Sequence, residues 1–454
     1  MAGYSLELPT LQNWSCHSCS GCCRQHGIAI TDAEHARLVA QNWTPADGIP
    51  AEQPLFVRMG GWLRKRWWRL AHQPDGRCVF LDDRGLCRIH AKFGEPAKPL
   101  ACQLYPYVFH PKGKQVVVSL RYSCPSVVRN QGRTLAQQSK ELRDLARQVV
   151  PDKVTQARPP RLNDRYAPEW RDILTVVQQL ETTLASEDGS VVHRVLRALT
   201  WIELLDNAQL DAIGGERLRE LVEILDGAAT AEVPANFDLS CLASPGKMGQ
   251  MLFRLLAGQY GRIDSYTAEN GRLTARWRML TSAIKLARGR GSLPSLDPRL
   301  RPVSFDALNQ PRGGLPIEAD EILTRYFRTK LQGMHFCGRA YYGVPLIEGF
   351  RSLALVLPVT LWLARWLSVS RGASGLSSDD VADALAMADH HHGYSPVLGT
   401  FGARGRLRTL QRLGDIPRLV AWYGRGTAAI EFDAPSTVGS PLTTAAVLGP
   451  DHDA

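Results

Sequence analysis

The sequence lacks an apolar segment long enough to cross a membrane as a helix. Its longest apolar run, residues 353–364, has twelve residues and contains Pro358, whereas a membrane span needs about 20 residues. That run therefore predicts a buried helix. The start of the chain also lacks the charged and apolar regions of a secretory signal. We therefore expect a cytoplasmic protein without a membrane partner, in a reducing environment that disfavours stable disulfides.

Two motifs of cofactor-binding enzymes are also missing. The sequence contains no C-x3-C-x2-C loop of the kind used by radical enzymes, and no glycine-rich turn between a strand and a helix. The segment richest in glycine, residues 288–293, follows a helical pattern and is typical of a flexible turn. Sequence motifs therefore identify no catalytic residue in this chain.

Cysteine is scarce in most of the chain and concentrated near its start. Only Cys241 and Cys337 follow residue 125, and their helical context predicts buried thiols. The other eight cysteines are Cys16, Cys19, Cys22, Cys23, Cys78, Cys87, Cys102 and Cys124. Four thiols within eight residues exceed what core packing uses, which leaves disulfides or metal ligands. The expected reducing environment favours metal ligands.

The spacing of these cysteines indicates how they bind metal. A C-x2-C turn directs two sulfurs to one ion, and two such turns in succession allow Cys16, Cys19 and Cys22 to share a centre. Adjacent side chains usually diverge, so we expect Cys23 to join the later cysteines or to act as a redox thiol. Two residues separate Cys87 from His90, and this Cys-x2-His spacing makes His90 the only credible histidine ligand. Zinc and an iron–sulfur cluster both fit; eight sulfurs exceed the needs of one zinc and favour iron–sulfur.

Positive charge is concentrated in the same part of the chain. The net charge is +10 overall, and residues 1–133 carry +8 of it, from 17 Lys/Arg and 9 Asp/Glu. This excess either attracts an anionic partner or offsets the charge of several thiolates, and we favour the second explanation. The basic and aromatic segment 58–69 is more typical of an exposed strand whose aromatic side chains pack on a neighbour than of a nucleic-acid site. We do not expect nucleic acid as a partner.

Hydrophobic patterning predicts a mainly α-helical fold with a small α+β, cysteine-rich, metal-binding domain at residues 1–133. Helical regions are expected at 134–290 and 317–425, and a disordered tail at 426–454. Helical periodicity covers 169–186, 191–206, 216–226, 247–258, 273–288, 318–340, 346–369 and 378–391. In the first domain we expect a capped helix from Thr31, a hairpin joining 78–81 to 86–89, and a strand at 115–120.

A run of one aspartate and three histidines, residues 389–392, lies at the end of the last of these helical patterns. Imidazole nitrogens bind zinc and iron. Consecutive histidines on a helix cannot all point toward one ion, however. We therefore expect a solvated helix end at this position rather than a metal site.

The series of cysteine motifs resembles a known family. Cys16-x2-Cys19-x2-Cys22-Cys23 is followed by Cys78-Val-Phe-Leu, Gly85-Leu-Cys87-Arg-Ile-His90 and Pro99-Leu-Ala-Cys102-Gln-Leu-Tyr-Pro106. Over residues 13–128 this series resembles the YkgJ-type cysteine-cluster (CxxCxxCC) domain, regarded as zinc- or iron-chelating. The Cys-x-Ile-His and Cys-Gln-x-Tyr-Pro forms are most similar to its flagellin lysine-N-methylase branch, which also has a long helical C-terminal region.

This resemblance implies an iron–sulfur protein that methylates lysine side chains with S-adenosylmethionine. Its partner would then be a protein substrate, flagellin-like or another lysine-bearing protein. Two other functions remain open. The chain could be a non-catalytic metal-binding scaffold or carrier, or it could be a redox sensor. A sensor needs an accessible thiol with a low pKa, and Cys23 is the natural candidate.

Overall fold

The computed structural model describes residues 4–60, 66–151, 153–211, 213–263, 272–310 and 312–425, and gives only the backbone of residues 155 and 272–276. Among the residues that the structure describes, helices account for 52% and strands for 9%. The prediction of a mainly α-helical fold with a small α+β unit in front is therefore confirmed. The tail predicted at 426–454 lies outside the described residues.

In chain order, the six strands of the described residues come before the long helices. The strands are β1 (Ser5–Glu7), β2 (Ala29–Ile30), β3 (Phe56–Met59), β4 (Trp67–Leu70), β5 (Tyr107–Lys112) and β6 (Gln115–Leu120). The helices are α1 (Gly21–Gln25), α2 (Asp32–Val39), α3 (Arg88–Phe93), α4 (Leu100–Leu104), α5 (Pro125–Val128), α6 (Ser139–Val149), α7 (Trp170–Ala185), α8 (Val191–Asn207), α9 (Glu216–Glu232), α10 (Lys247–Tyr260), α11 (Arg272–Arg288), α12 (Phe305–Asn309), α13 (Ile317–Gln332), α14 (Leu346–Ala354), α15 (Val356–Ser370), α16 (Ser378–His391), α17 (Phe401–Arg412) and α18 (Asp415–Gly424).

The strands form two small sheets. In the first, β6 lies between β1, which runs parallel to it, and β5, which runs antiparallel. In the second, β4 pairs antiparallel with both β2 and β3. The predicted strand at 115–120 is thus present as β6, where β-branched valines pack on the pleated surface. The capped helix is present as α2, because Thr31 and Glu34 form a reciprocal capping box.

Two hydrophobic cores hold these elements. The smaller core lies against the second sheet and includes Ile30, Leu38, Leu70 and Phe80. The larger core begins at Tyr107 and Val117 in the first sheet and continues through the helices to Tyr423. Because β5 and β6 share the core of the helices, the first sheet attaches the cysteine-rich segment to the helical region. The predicted domain boundaries remain predictions.

The predicted hairpin between residues 78 and 89 is wrong in its second half. The turn is present, because Gly85 N donates to Asp82 O at 3.1 Å, but only one bridge, Leu81 to Cys87, follows it. The carboxylate of Asp82 accepts hydrogen bonds from Leu86 N and Arg84 N. These bonds satisfy the loop locally, and α3 begins at Arg88. Cys87 therefore stands at a helix start and not on a strand.

The long helices agree with the periodicity, and the differences have local causes. The 318–340 pattern ends at Gln332, followed by a turn with a left-handed Met334. The 346–369 pattern contains two helices, α14 and α15, divided at Leu355. Among the described helices after residue 133, three were not predicted: α12, α17 and α18. In α17, only Ala403, Leu407 and Leu410 are buried, so the apolar periodicity is weak.

One helical stretch has the length and hydropathy of a membrane span. Residues Leu346–Ser370 have a mean hydropathy of 1.6 over their most apolar window, and 89% of that window is buried inside the protein. The stretch packs against α16 and α18. The apolar run 353–364 thus spans the end of α14 and the first part of α15 and lies in the protein core.

The basic and aromatic segment 58–69 is described except for residues 61–65. Trp68 stacks on His35 with a ring separation of 4.1 Å, and the guanidinium of Arg58 lies 5.6 Å from the same indole. The segment includes the ends of two strands, β3 and β4, and the side chain of Trp68 packs on the neighbouring helix α2.

Candidate metal centre

A one-turn helix and the loop before it present the first four cysteines. Cys22 and Cys23 lie on α1 and are half-buried, whereas Cys16 and Cys19 are exposed on the preceding loop. Ser18 and Ser20, which flank Cys19, have left-handed φ angles of 53° and 59°. Such angles are uncommon for residues other than glycine, so the tertiary contacts of this loop fix its unusual path.

Backbone contacts bring a second cysteine segment to α1. Cys78 N donates to Cys23 O at 2.8 Å. The Sγ atoms of Cys22 and Cys23 lie 3.9 Å apart and share a hydrogen bond. Two thiolates on a tetrahedral zinc stand about 3.8 Å apart, given Zn–S bonds of about 2.3 Å. The expectation that these adjacent side chains diverge is therefore wrong, because the short helix lets both point to the same side.

The contributions of neighbouring thiols to each pKa show which other cysteines lie close to Cys22 and Cys23. Burial raises the pKa of Cys102 well above its usual value, and Cys78, Cys87 and Cys22 each raise it further. Burial also raises the pKa of Cys78 to about 12, with added contributions from Cys87 and Cys22. The hydrogen bond with Cys23 and then burial raise the pKa of Cys22. Cys22, Cys23, Cys78, Cys87 and Cys102 therefore gather in one region, which we call the inner cysteine group.

Cys124 and Cys19 form a second neighbourhood. Cys124 is buried at the start of α5, and burial raises the pKa of its thiol, with Cys19 among the groups that raise it further. His17 contacts Ser126 Oγ at 3.2 Å, which places the loop of Cys16 and Cys19 beside α5. Cys19 and Cys124 thus form a second group, and Cys16 lies on the loop that carries Cys19.

The thiols are not arranged around an ion. In the described part of the chain, no three His, Cys, Asp or Glu side chains converge as they would on a metal. The donor set nevertheless fits the group that the sequence predicts, because soft sulfur ligands select zinc and iron–sulfur centres. The neutral, buried thiols would lose their protons when a metal binds. The ligand set of eight cysteines stays a prediction.

His90 is directed to a different partner. Its Nδ1 lies 2.9 Å from a carboxylate oxygen of Glu95, and its side chain is 57% exposed. Glu95 in turn accepts hydrogen bonds from Lys98. Burial lowers the pKa of Lys98, but Glu95, Cys102 and Cys87 raise it, and the net shift is upward. Glu95 therefore pairs with both His90 and Lys98, and Lys98 is a cation close to Cys87 and Cys102.

The prediction of a solvated helix end at residues 389–392 is wrong. Asp389, His391 and His392 are all buried, and Ser123 N donates to Asp389 Oδ2 at 3.1 Å. The rings of His26 and His390 lie 4.8 Å apart. Apolar residues cover nearly all faces of α16, which is typical of a buried helix. That pattern could have predicted that the polar residues at its end are buried beside the cysteine-rich segment.

Comparison with known proteins agrees with this arrangement. Residues 15–125 match the model of the CxxCxxCC family, described as "Putative zinc- or iron-chelating domain". No curated protein and no solved structure matches the chain. The matched segment contains all eight clustered cysteines and is similar to a class of metal-chelating domains. It therefore supports a metal cofactor at the cysteine-rich segment, here joined to a large helical region.

Proposed function

We propose that the cysteine-rich segment holds an iron–sulfur cluster, with zinc as the alternative. The observation that carries this proposal is the inner cysteine group, in which five thiols from four separate segments lie together. Five neighbouring thiols already exceed the four ligands of a closed zinc site. Cys19 and Cys124 form a second group, and Cys16 lies on the same loop as Cys19. These three further sulfurs favour a polynuclear centre.

Metal analysis and visible spectroscopy of anaerobically purified protein test the identity of the metal. We expect stoichiometric iron and sulfide with broad visible absorption from sulfur-to-iron charge transfer. A colourless protein with one zinc would show the alternative. Substitution of Cys22 by Ala should lower the bound metal at least severalfold, because it removes a member of the inner group. The matched control is Cys241→Ala, which removes an exposed thiol from the helical region. Equal metal content in both variants would contradict the proposal.

We further propose that this metal protein is a lysine methyltransferase using S-adenosylmethionine, located in the cytoplasm. The support for this step is the resemblance of the cysteine motifs to the flagellin lysine-N-methylase branch. Because residues 1–133 carry a net charge of +8, the preferred protein substrate would have an acidic surface around its target lysine. The buried polar groups that face the cysteine-rich segment from α13 and α16 would then contribute to the active site.

Labelled S-adenosylmethionine and host-cell lysate test the methyltransferase proposal. We expect a labelled protein band with the wild-type protein and with Cys241→Ala, and its loss with Cys22→Ala. No labelled band from protein with an intact metal centre would favour a carrier or scaffold. A redox sensor is less well supported, because its candidate thiol, Cys23, is half-buried and shares a hydrogen bond with Cys22, whereas a sensor needs an accessible thiol.

A further inference from the structure

A buried ion pair lies where the helical region meets the cysteine-rich segment. Lys330 Nζ is 2.7 Å from Asp389 Oδ1, and neither side chain is exposed. Lys330 also donates to Leu120 O at 3.2 Å and contacts His335 Nδ1 at 3.2 Å. Asp389 accepts from Ser123 N. This lysine and this aspartate therefore neutralise each other within the protein.

A second cation beside this pair has no such partner. The guanidinium of Arg121 lies 3.6 Å from the ring centre of Tyr394 and 5.7 Å from that of Tyr105. Its Nη2 donates to His390 O at 3.3 Å, and its Nε is buried without a hydrogen-bond partner. No carboxylate of the described residues forms an ion pair with Arg121. The local charge, with Lys330 and Asp389 included, is therefore about one unit positive.

Three more unpartnered polar atoms surround this arginine. They are His26 Nε2, His390 Nδ1 and Tyr394 Oη. We call Arg121 and these three residues the Arg121 site. Burial, with His391 and Arg121 contributing, lowers the pKa of His390 to about 3. The ring of His390 is thus neutral near pH 7 and adds no charge to the site.

Unpartnered buried polar atoms are uncommon in folded proteins and need an explanation. Three of them around one uncompensated cation, together with the Nε atom of that cation, have the composition of an anion-binding site. A carboxylate can accept two N–H bonds from a guanidinium and further bonds from a phenol and an imidazole. A single negative charge would also make the local charge neutral.

We propose that the Arg121 site binds a small molecule through a carboxylate group. The site lies beside the cysteine-rich segment, since His26 N donates to Cys22 O at 3.2 Å and Tyr105 contacts both His26 and Arg121. A ligand bound there would lie next to the metal centre of the proposed function. The binding itself rests on Arg121 and its neighbours and does not depend on which metal is present.

Titration of the full-length protein with acetate tests the site. The melting temperature and the 13C linewidth of labelled acetate report binding, with sodium chloride at equal ionic strength as the salt control. We expect a saturable effect of acetate in the wild-type protein. Arg121→Met should weaken it at least about tenfold, because a charged, two-pronged contact is lost. Arg129→Met is the matched control: it removes the same charge eight residues away, from an exposed pair with Asp379, and should bind acetate as the wild type does.

A second variant and a metal assay make the outcome decisive. If Arg121→Met does not fold, Tyr394→Phe keeps the ring under the guanidinium and removes the unpartnered hydroxyl, and it should weaken acetate binding severalfold.

Absence of saturable binding in the wild type, or unchanged binding in both variants, would overturn the proposal. Phosphate that displaces acetate and binds more tightly would overturn the assignment to a carboxylate. Loss of metal in Arg121→Met, with no acetate effect in the wild type, would make Arg121 the counter-charge of the thiolates instead. If the protein purified anaerobically contains no metal and still binds acetate, the Arg121 site is supported and the proposed metal centre is refuted.

Discussion

At the scale of single residues, the pair of Lys330 and Asp389 provides a strong test of the structure. Both side chains are fully buried. Burial lowers the pKa of Lys330, and Asp389 opposes that change. Removing one member of such a pair leaves an uncompensated buried charge, whereas removing a member of an exposed pair has little effect. The consequences of substitution should therefore differ between this pair and one at the surface.

Lys330→Met should destabilise the protein by about 3–5 kcal/mol. Lys92→Met is the control, because Lys92 pairs with Asp47 and is 40% exposed; its effect should be about 0–1 kcal/mol. Urea unfolding followed by circular dichroism measures both. Similar losses in the two variants would show that Lys330 is not buried as described.

His392 gives a second residue-scale prediction, on pH. Burial, with the charge of Lys330, lowers the pKa of His392 to about 3, below about 6.5 in the unfolded chain. The folded protein therefore needs the neutral ring. Its contribution to stability is complete above pH 6.5 and is lost as the pH falls toward 3, at a rate approaching about 1.4 kcal/mol per pH unit.

His392→Gln should reduce the slope of stability against pH between pH 6.5 and 4, because the amide does not titrate there. Melting temperatures across this range measure the slope. His90→Gln serves as the comparison, since His90 is largely exposed. A slope that is unchanged in His392→Gln contradicts the assignment of a buried neutral histidine.

At the scale of elements, the loop that carries the first cysteines is held by backbone contacts to residues 131–133. Trp14 N donates to Arg133 O at 2.9 Å and Ser15 N to Gln131 O at 3.0 Å. Gly132 lies between these contacts with φ at 113°, and a Cβ there would overlap the backbone of Ser15. Glycine is therefore required at this position both for its φ and for the close approach.

Gly132→Ala should destabilise the protein and weaken metal retention, because it displaces the segment leading to Cys16. Gly76→Ala is the matched control: φ is 86° there, but nothing lies near the added Cβ. The control should show only the cost of a left-handed alanine, about 1–2 kcal/mol. Chemical unfolding and metal analysis compare the two variants. Equal effects would mean that the contact with Ser15 does not matter.

At the scale of the whole molecule, the two hydrophobic cores should respond differently to loss of metal. The smaller core contains Cys78 and packs against Cys23 and Cys87, three members of the inner cysteine group. The larger core is built mostly of helices. Metal binding contributes folding free energy mainly to the structure that its ligands hold together, so chelation should act on the smaller core.

Treatment with a chelator should lower the unfolding temperature of the cysteine-rich segment and leave most of the helical signal unchanged. Hydrogen exchange measured by mass spectrometry can follow the two cores separately. Residues of α8 and α15 should keep their protection, while those near Leu70 and Phe80 should lose it. A uniform loss of protection across both cores would show that they unfold as one unit.

The sequence predicted local features well. Helical periodicity located α7, α8 and α16 within about a residue or two of their ends, because an amphipathic pattern is a property of neighbouring residues. It did not predict α17, where few side chains are buried, or the helix at Arg88, where the loop before it is closed by Asp82. At the metal centre, the spacing identified the thiol chemistry but not the shared orientation of Cys22 and Cys23.

The sequence by itself determined the class of chemistry, since clustered thiols specify a soft metal and their spacing is written in the chain. It also determined the mainly helical fold. Only the tertiary structure decided which cysteines meet, that Asp389 and His392 are buried, and that Arg121 lacks an anionic partner. Burial and charge pairing depend on groups distant in the chain, such as His26 and His390, and the free energy of each charge depends on that surrounding. These properties arise only when the helices close over the cysteine-rich segment.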